Sequence, residues 1–220
     1  MQATESQRPA RRTQQERSAE TRAKLLDATV DCLYRYGYAG ATTTLICEKA
    51  NVSRGAQLHH FPNKAELVTT AVEHLFDRRH DEFKKAMARL PESEDRADAA
   101  IDFLWSAFSG PTFYAWLELV VAGRTDPDLA PAVAETSERF SQAFHTTFAE
   151  MFPELCASDL GQVIPEFAMS LLDGMAMARI VHPDGARSER VLAFFKLLAK
   201  LVSPTTAPMT AAIGSPTNDA

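Results

Sequence analysis

The chain has 220 residues, of which 45% are hydrophobic and 24% charged, and carries a net charge of −6 at pH 7. That is the make-up of an ordinary globular protein with room for one large or two modest domains, and it excludes collagen-like, low-complexity and disulfide-stapled classes. No apolar run approaches a membrane span, and Cys32, Cys47 and Cys156 are widely spaced with no C-x-x-C, so a reducing, cytoplasmic setting is expected, with no disulfide framework, metal or cofactor.

The charge is uneven. Residues 1–64 carry ten Lys/Arg against six Asp/Glu, whereas residues 65–220 carry thirteen against twenty-three. A basic front on an acidic body points to a polyanion met only by the front. The opening "MQATESQRPARRTQQERSAE" has charge but no apolar stretch behind it, so it does not read as a signal peptide. Residues 1–17, polar and without periodicity, are expected to form a disordered arm, and residues 204–220, rich in Pro, Thr and Ala, a disordered tail.

Between them almost everything reads as helix, with no alternating strand pattern and no hairpin signal. The first helix is expected from Ser18 to Tyr36, stopped by Gly37. Thr42 is placed to cap a short second helix, with Ile46, Cys47 and Ala50 turned inward and Asn51 supplying a left-handed close. Ser53 caps a third helix that ends at His60, because Pro62 biases Phe61 away from helical geometry. Asn63 and Glu66 resemble a capping box opening a long helix to about Arg89. Beyond Pro91 the spacing predicts helices over 93–109, 111–122, 127–151, 163–182 and 186–202, punctuated by Gly110-Pro111, Asp126-Pro127, Pro153 and Pro183. Pro165 either starts or kinks the helix it lies in. The expected fold is all-α, about nine helices, with one domain over 18–75 and a larger one over 76–203.

Two short helices joined by "ANVS" and braced by longer ones describe a helix-turn-helix in a small bundle. Its second helix would enter the major groove of duplex DNA. Such a helix must be short and polar, and Gly55 would let backbone approach the DNA closely. Arg54 suits phosphate or guanine, Gln57 a base edge and His59 phosphate, whereas His60 and Phe61 are expected to lock the helix onto its neighbours. His59 and His60 point about 100° apart on a helix and do not chelate a metal together.

The stretch "TRAKLLDATVDCLYRYGYAGATTTLICEKANVSRGAQLHHFPNKAELV", residues 21–68, resembles the DNA-binding domain of the TetR (tetracycline-repressor) family of bacterial regulators. The likeness covers the Gly37-Tyr38 turn, the Val-Ser-x-Gly segment and the His-Phe-x-x-Lys run ending at Lys64. It implies a homodimer whose N-terminal domain binds operator DNA and whose larger helical domain binds a small molecule. The expected DNA contacts are Thr42, Thr43, Thr44, Ser53, Arg54, Gly55, Ala56, Gln57, His59 and Lys64. Three positions depart from the family pattern: Asn51 replaces a usual glycine, Gln57 a usual apolar residue, and Leu58 a usual phosphate-contacting tyrosine. Without that tyrosine, either His59 or the run Thr42–Thr44 takes more of the backbone contact, or affinity is lower.

In the larger domain an aromatic stripe at helical spacing reads first as core. The resemblance raises a ligand cavity beside it, for which Trp105, Phe108, Phe113, Trp116, Glu118, Phe144, His145 and Met175 are the candidates. Residues 101–177 hold few basic groups, so the effector is expected to be lipophilic and neutral or cationic. "FAMSLLDGMAMARIV", residues 167–181, is apolar nearly all round, as a helix covered on every side must be. With residues 191–202 it is expected to build a dimer interface through Leu171, Leu172, Met175, Ala178, Leu192, Phe195 and Leu198. The reading is a dimeric repressor, not an enzyme and not membrane-bound, released from its operator by an effector. Its rivals are a helical ligand carrier or enzyme that binds no DNA, and an activator of the same fold. No G-x-S-x-G, P-loop or G-x-G-x-x-G favours an enzyme.

Overall fold

The computed structural model describes residues 13–89, 95–158, 160–161 and 163–202, and every regular element among them is a helix. In chain order these are α1 (Gln14–Gly40), α2 (Thr43–Ala50), α3 (Arg54–His60), α4 (Lys64–Met87), α5 (Asp95–Phe108), α6 (Pro111–Gly123), α7 (Ala130–Met151), α8 (Pro153–Cys156), α9 (Val163–Val181) and α10 (Ala186–Val202). The all-α expectation holds, with the single turn α8 in addition to the nine expected helices. None of them is long and apolar enough to cross a membrane.

The helix ends follow the side chains that satisfy their free amides. Thr13 accepts from the Glu16 amide at 3.2 Å while Glu16 accepts from the Thr13 amide at 2.8 Å. This capping box starts α1 four residues earlier than the Ser18 expected, inside the arm foreseen for 1–17. The remainder of that arm and the tail foreseen for 204–220 lie outside the described residues. Gly37 interrupts α1 with φ of 67°, and a Cβ there would stand 2.8 Å from a Glu118 carboxylate oxygen, so only glycine fits this turn. Asp126 accepts from the amides of Asp128 and Leu129, which makes a turn of 127–129 and delays α7 to Ala130. Pro165 is the third residue of α9: it belongs to the first turn and makes no kink.

The helices form two compact units. The first runs up to Asp77 and takes in Pro111–Thr136; the second holds Arg78–Gly110 and the chain from Ser137. The chain first passes from one unit to the other at Asp77, and α6 joins the first unit, which a linear pass along the sequence does not reveal. Its core explains the difference. Leu25, Leu26 and Leu33 of α1, Ile46 of α2, Phe61 at the close of α3, and Leu67 and Val68 of α4 are joined by Ala115 and Leu119 of α6 in one buried cluster. Each such leucine contributes about 1.5–3 kcal/mol by leaving water, so α6 is held by the same force that folds the helix-turn-helix.

In the second unit α5 packs on α9 and α10, and Phe83 of α4 stacks on Phe103 of α5 with ring centres 5.1 Å apart. Lys196 reaches Asp102 at 2.6 Å and Lys200 reaches Asp98 at 2.9 Å, pairs with one half-buried and one exposed partner each that join α10 to α5. α9 and α10 turn Leu172, Met175, Leu192 and Phe195 into the unit's own core. This corrects the interface expected for these four. Leu171, Ala178 and Leu198 are half-buried, and the outward stripes are formed by other residues: Val163, Phe167, Met177 and Val181 on α9, Phe194, Leu197 and Leu201 on α10. A helix apolar all round does not announce which side its own subunit takes.

One carboxylate sits against the grain of α9. Burial pushes the Asp173 carboxyl up to about 6 from its ordinary 3.8. Well below 3.8, at about pH 3 and lower, it is mostly neutral whether the chain is folded or not. As pH rises through the interval between 3.8 and about 6, the unfolded chain ionises first, so the folded state loses stability there and stays poorer above it. Asp173→Asn is therefore expected to raise stability at pH 7.5 by about 1–2 kcal/mol, allowing for partial solvent screening, or a few degrees in Tm, and to change it little at about pH 3. Thermal unfolding at the two pH values checks this; an equal gain at both would assign the effect to packing.

Candidate nucleic-acid interface

α3 has seven residues, fewer than a helix needs to persist alone in water. Its two ends and one buried side chain hold it. Asn51 closes α2 in the left-handed conformation at φ 52° and ψ 47°, as its expected stand-in for glycine requires. The Val52 amide then reaches back to the Cys47 carbonyl at 3.0 Å. The Ser53 hydroxyl caps α3 through the Ala56 amide at 3.2 Å. At the far end Phe61 is extended, its amide donates to the Gln57 carbonyl at 2.8 Å, and its ring is buried with the Arg22 guanidinium 5.3 Å from its centre. His60 is half-buried beside it, its imidazole pKa lowered by burial first and by the neighbouring His59 and Arg22. His60 and Phe61 thus lock α3, as the sequence predicts.

Gln57 corrects the sequence reading. Its side chain is 0% exposed, and Nε2 donates to the Phe61 carbonyl at 2.8 Å, while Oε1 is buried with no hydrogen-bond partner. It faces the core and cannot meet a base edge. The usual apolar residue at this position now has a physical reason: the site is interior.

What α3 exposes is Arg54, Gly55, Leu58 and His59, with Ala56 half-buried. The Arg54 guanidinium donates to the Thr43 hydroxyl, joining α3 to the start of α2. Thr42 and Thr44 are exposed beside it, the Thr42 oxygen accepting from the Leu45 amide at 3.2 Å. A shallow groove lined by Thr44, Cys47, Glu48, Asn51, Val52, Ser53 and Arg54 runs between the two helices. A Cβ at Gly55 would meet no atom within 4 Å, so nothing inside the chain asks for glycine there.

Lys64 lies elsewhere than expected. Its ammonium is half-buried, donates to the Tyr38 carbonyl at 2.5 Å and stands 4.0 Å from the centre of the Tyr38 ring, and burial lowers its pKa. Tyr38 makes two more ties. Its amide donates to Glu118 at 3.1 Å, its hydroxyl to Asp126 at 3.1 Å, and burial together with that bond pushes its phenol up to about 12. Lys64 and Glu118, expected at the DNA and in the ligand cavity, are both fastened to this tyrosine. Sequence reading noted the Gly37-Tyr38 turn but missed the tyrosine as a hub, since its partners are 26, 80 and 88 residues away.

The other ligand candidates divide between the units. Phe113 is buried in the first, where Trp116 packs on Phe76 with ring centres 5.6 Å apart. The second holds Trp105, Phe144 and His145, half-buried, and Phe108 and Met175, buried, with the Arg179 guanidinium 5.9 Å from the Trp105 ring centre. Among the described residues no three His, Cys, Asp or Glu side chains gather as metal ligands.

The turn, the capped seven-residue helix and its bracing match known proteins. Residues 25–71 fit the family model for bacterial regulatory proteins of the tetR family. An uncharacterized HTH-type transcriptional regulator of Mycobacterium tuberculosis is 32% identical over 184 residues, 81% of this chain and 92% of that one. The chain belongs to the TetR family of transcriptional regulators. Members of this family are helix-turn-helix regulators of transcription and not enzymes. The fold is shared with reduced NemR of E. coli, 17% identical with a TM-score of 0.69 over 85% of this chain and 100% of that one. It is shared also with a transcriptional regulator of Saccharomonospora viridis solved in complex with choline, 15% identical with a TM-score of 0.63 over 80% and 95% of the two chains.

For this TetR-family helix-turn-helix, Gln57→Ala is expected to cost about 1–3 kcal/mol of stability through lost packing and the lost bond to Phe61. Gln57→Leu, which keeps the volume and removes the unpaired oxygen, should cost less. Urea unfolding of the three proteins checks this. A Gln57→Ala variant as stable as the wild type but altered in base preference would contradict it.

Proposed function

We propose that the chain acts as a homodimeric repressor whose α3 helices enter successive major grooves of an operator, released by a small lipophilic effector, neutral or cationic. The observation that carries the reading is the pairing of two unpartnered surfaces, one polar and basic on α3, the other apolar on α9 and α10.

Arg54, Gly55 and His59 form the first, with Thr42, Thr44 and the Thr43 hydroxyl beside them; Ser53 serves as the cap and Ala56 lies at the edge. Arg54 carries the charge that a phosphate or guanine calls for. The open space over Gly55 is what a closely approaching sugar-phosphate backbone would fill. Gly55→Ala should then leave the fold as stable or slightly more so, by up to about 1 kcal/mol, since alanine is the better helix former. It should weaken DNA binding nonetheless. A gel shift and a thermal melt on the same variant check the split; DNA affinity unchanged by the methyl would remove Gly55 from the interface.

The second surface repeats at four and three residues, through Val163, Phe167, Gly174, Met177 and Val181 on α9 and Phe194, Leu197 and Leu201 on α10. Phe194 is 59% exposed and Val181 72%, a cost in water that burial against a second copy relieves at about 25 cal/mol per Å². Two helices from each protomer make a four-helix, two-fold interface. Phe194→Glu, placed on the outward stripe, should yield a folded monomer that binds the operator weakly. Sedimentation of the wild type as a monomer at micromolar concentration would sink the dimer.

The effector reading rests on the second unit alone. Trp105, Phe144 and His145 are half-buried there, and the desolvated Asp173 supplies a carboxylate that a cation would relieve. A fold neighbour solved in complex with choline supports the reading of a small cation. Tryptophan fluorescence and Tm, followed while lipophilic ammonium compounds are titrated, test this, because a ligand of the folded state must raise its stability. Stabilisation and DNA release by strongly charged anions only would overturn it.

A further inference from the structure

Leu58 is 48% exposed on a helix whose other outward side chains are polar or absent. It takes no part in the core that holds α3: Gln57 and Phe61 do that, and Leu58 points away from them. Nor can it bond phosphate, having no donor, although it occupies the position where a phosphate-binding tyrosine is usual. An isobutyl group left in water on a face otherwise suited to a polyanion therefore needs a partner that is apolar and lies within that polyanion.

Duplex DNA offers one such group in its major groove, the C5-methyl of thymine, the only alkyl group among base edges otherwise read through hydrogen-bond donors and acceptors. We infer that Leu58 is a specificity-determining residue of the operator complex, packing its side chain on one thymine methyl in each half-site. The inference rests on the reading that α3 enters the major groove. Leu58 stands four residues after Arg54, so the two share a face, about 6 Å apart along the helix axis. At 3.4 Å per base step that places the thymine within about two base pairs of the group read by Arg54. The contact replaces a phosphate bond, which is blind to sequence, with an apolar one that distinguishes thymine from cytosine and from uracil. It thereby exchanges part of the salt-dependent affinity for base preference.

The methyl can be removed chemically without touching the pairing. A duplex selected from a random-sequence pool by the full-length wild-type chain supplies the probe. Each thymine of a half-site is then replaced in turn by deoxyuridine, and the wild type and Leu58→Ala are titrated against every duplex. One position is expected where deoxyuridine weakens the wild type about fourfold, the worth of one buried methyl. Leu58→Ala should bind the parent duplex more weakly, be indifferent to that same replacement, and melt at the wild-type temperature, since the leucine lies outside the core. Sensitivity at no thymine, or sensitivity that persists in Leu58→Ala, overturns the role of Leu58 while leaving DNA binding intact. Failure of the wild type to select any duplex overturns the groove placement of α3, and this inference with it.

Discussion

A helix of seven residues has no stability of its own, and everything this protein presents to a partner from α3 depends on how that helix is fastened. Three devices do it: the Ser53 cap, the left-handed Asn51 turn, and the interior pair of Gln57 and Phe61. Phe61 provides most of the hold, a fully buried ring roofed by Arg22, while Gln57 bonds its carbonyl. The helix can be short, polar and outward-facing because its anchorage lies in its two ends and one buried side chain. The unpaired Oε1 of Gln57 is a cost the site tolerates, of the order of 1–3 kcal/mol.

The same logic ties the helix-turn-helix to α6. Tyr38, one residue beyond the Gly37 turn, gathers Lys64 from the start of α4, Glu118 from α6 and Asp126 from the turn after it. Because α6 shares the core of α1, α2 and α4, it moves as part of the first unit. Hydrogen bonds and shared packing thus join α6 to the end of α1 and the start of α4 without an intervening loop.

Much of this was legible in the sequence because local chemistry decides it. Thr42, Ser53, Asn51, Gly37 and Pro62 each act within a few residues, and each behaves as its side chain requires. What sequence did not yield was orientation and distance. Seven residues are too few for periodicity to separate an inward Gln57 from an outward Leu58, so a glutamine that looks made for a base edge lies in the core. Residues 167–181 are apolar on every side, so pattern could not tell Met175, which faces its own subunit, from Met177, which does not. Sequence places Lys64 at the DNA and Glu118 in the ligand cavity; their shared partner Tyr38 lies 26 and 80 residues away.

The central claim is that the outward face of α3 lies in the major groove, and photocrosslinking tests it most directly. A photoreactive amino acid at the exposed His59, in the full-length chain bound to duplex DNA, should crosslink to bases at two places. For a two-fold dimer these lie about one helical turn, or a multiple of it, apart. The same group at the exposed Arg78, in the second unit, should give no base crosslink. Base crosslinks from position 78 and none from position 59 would contradict the account.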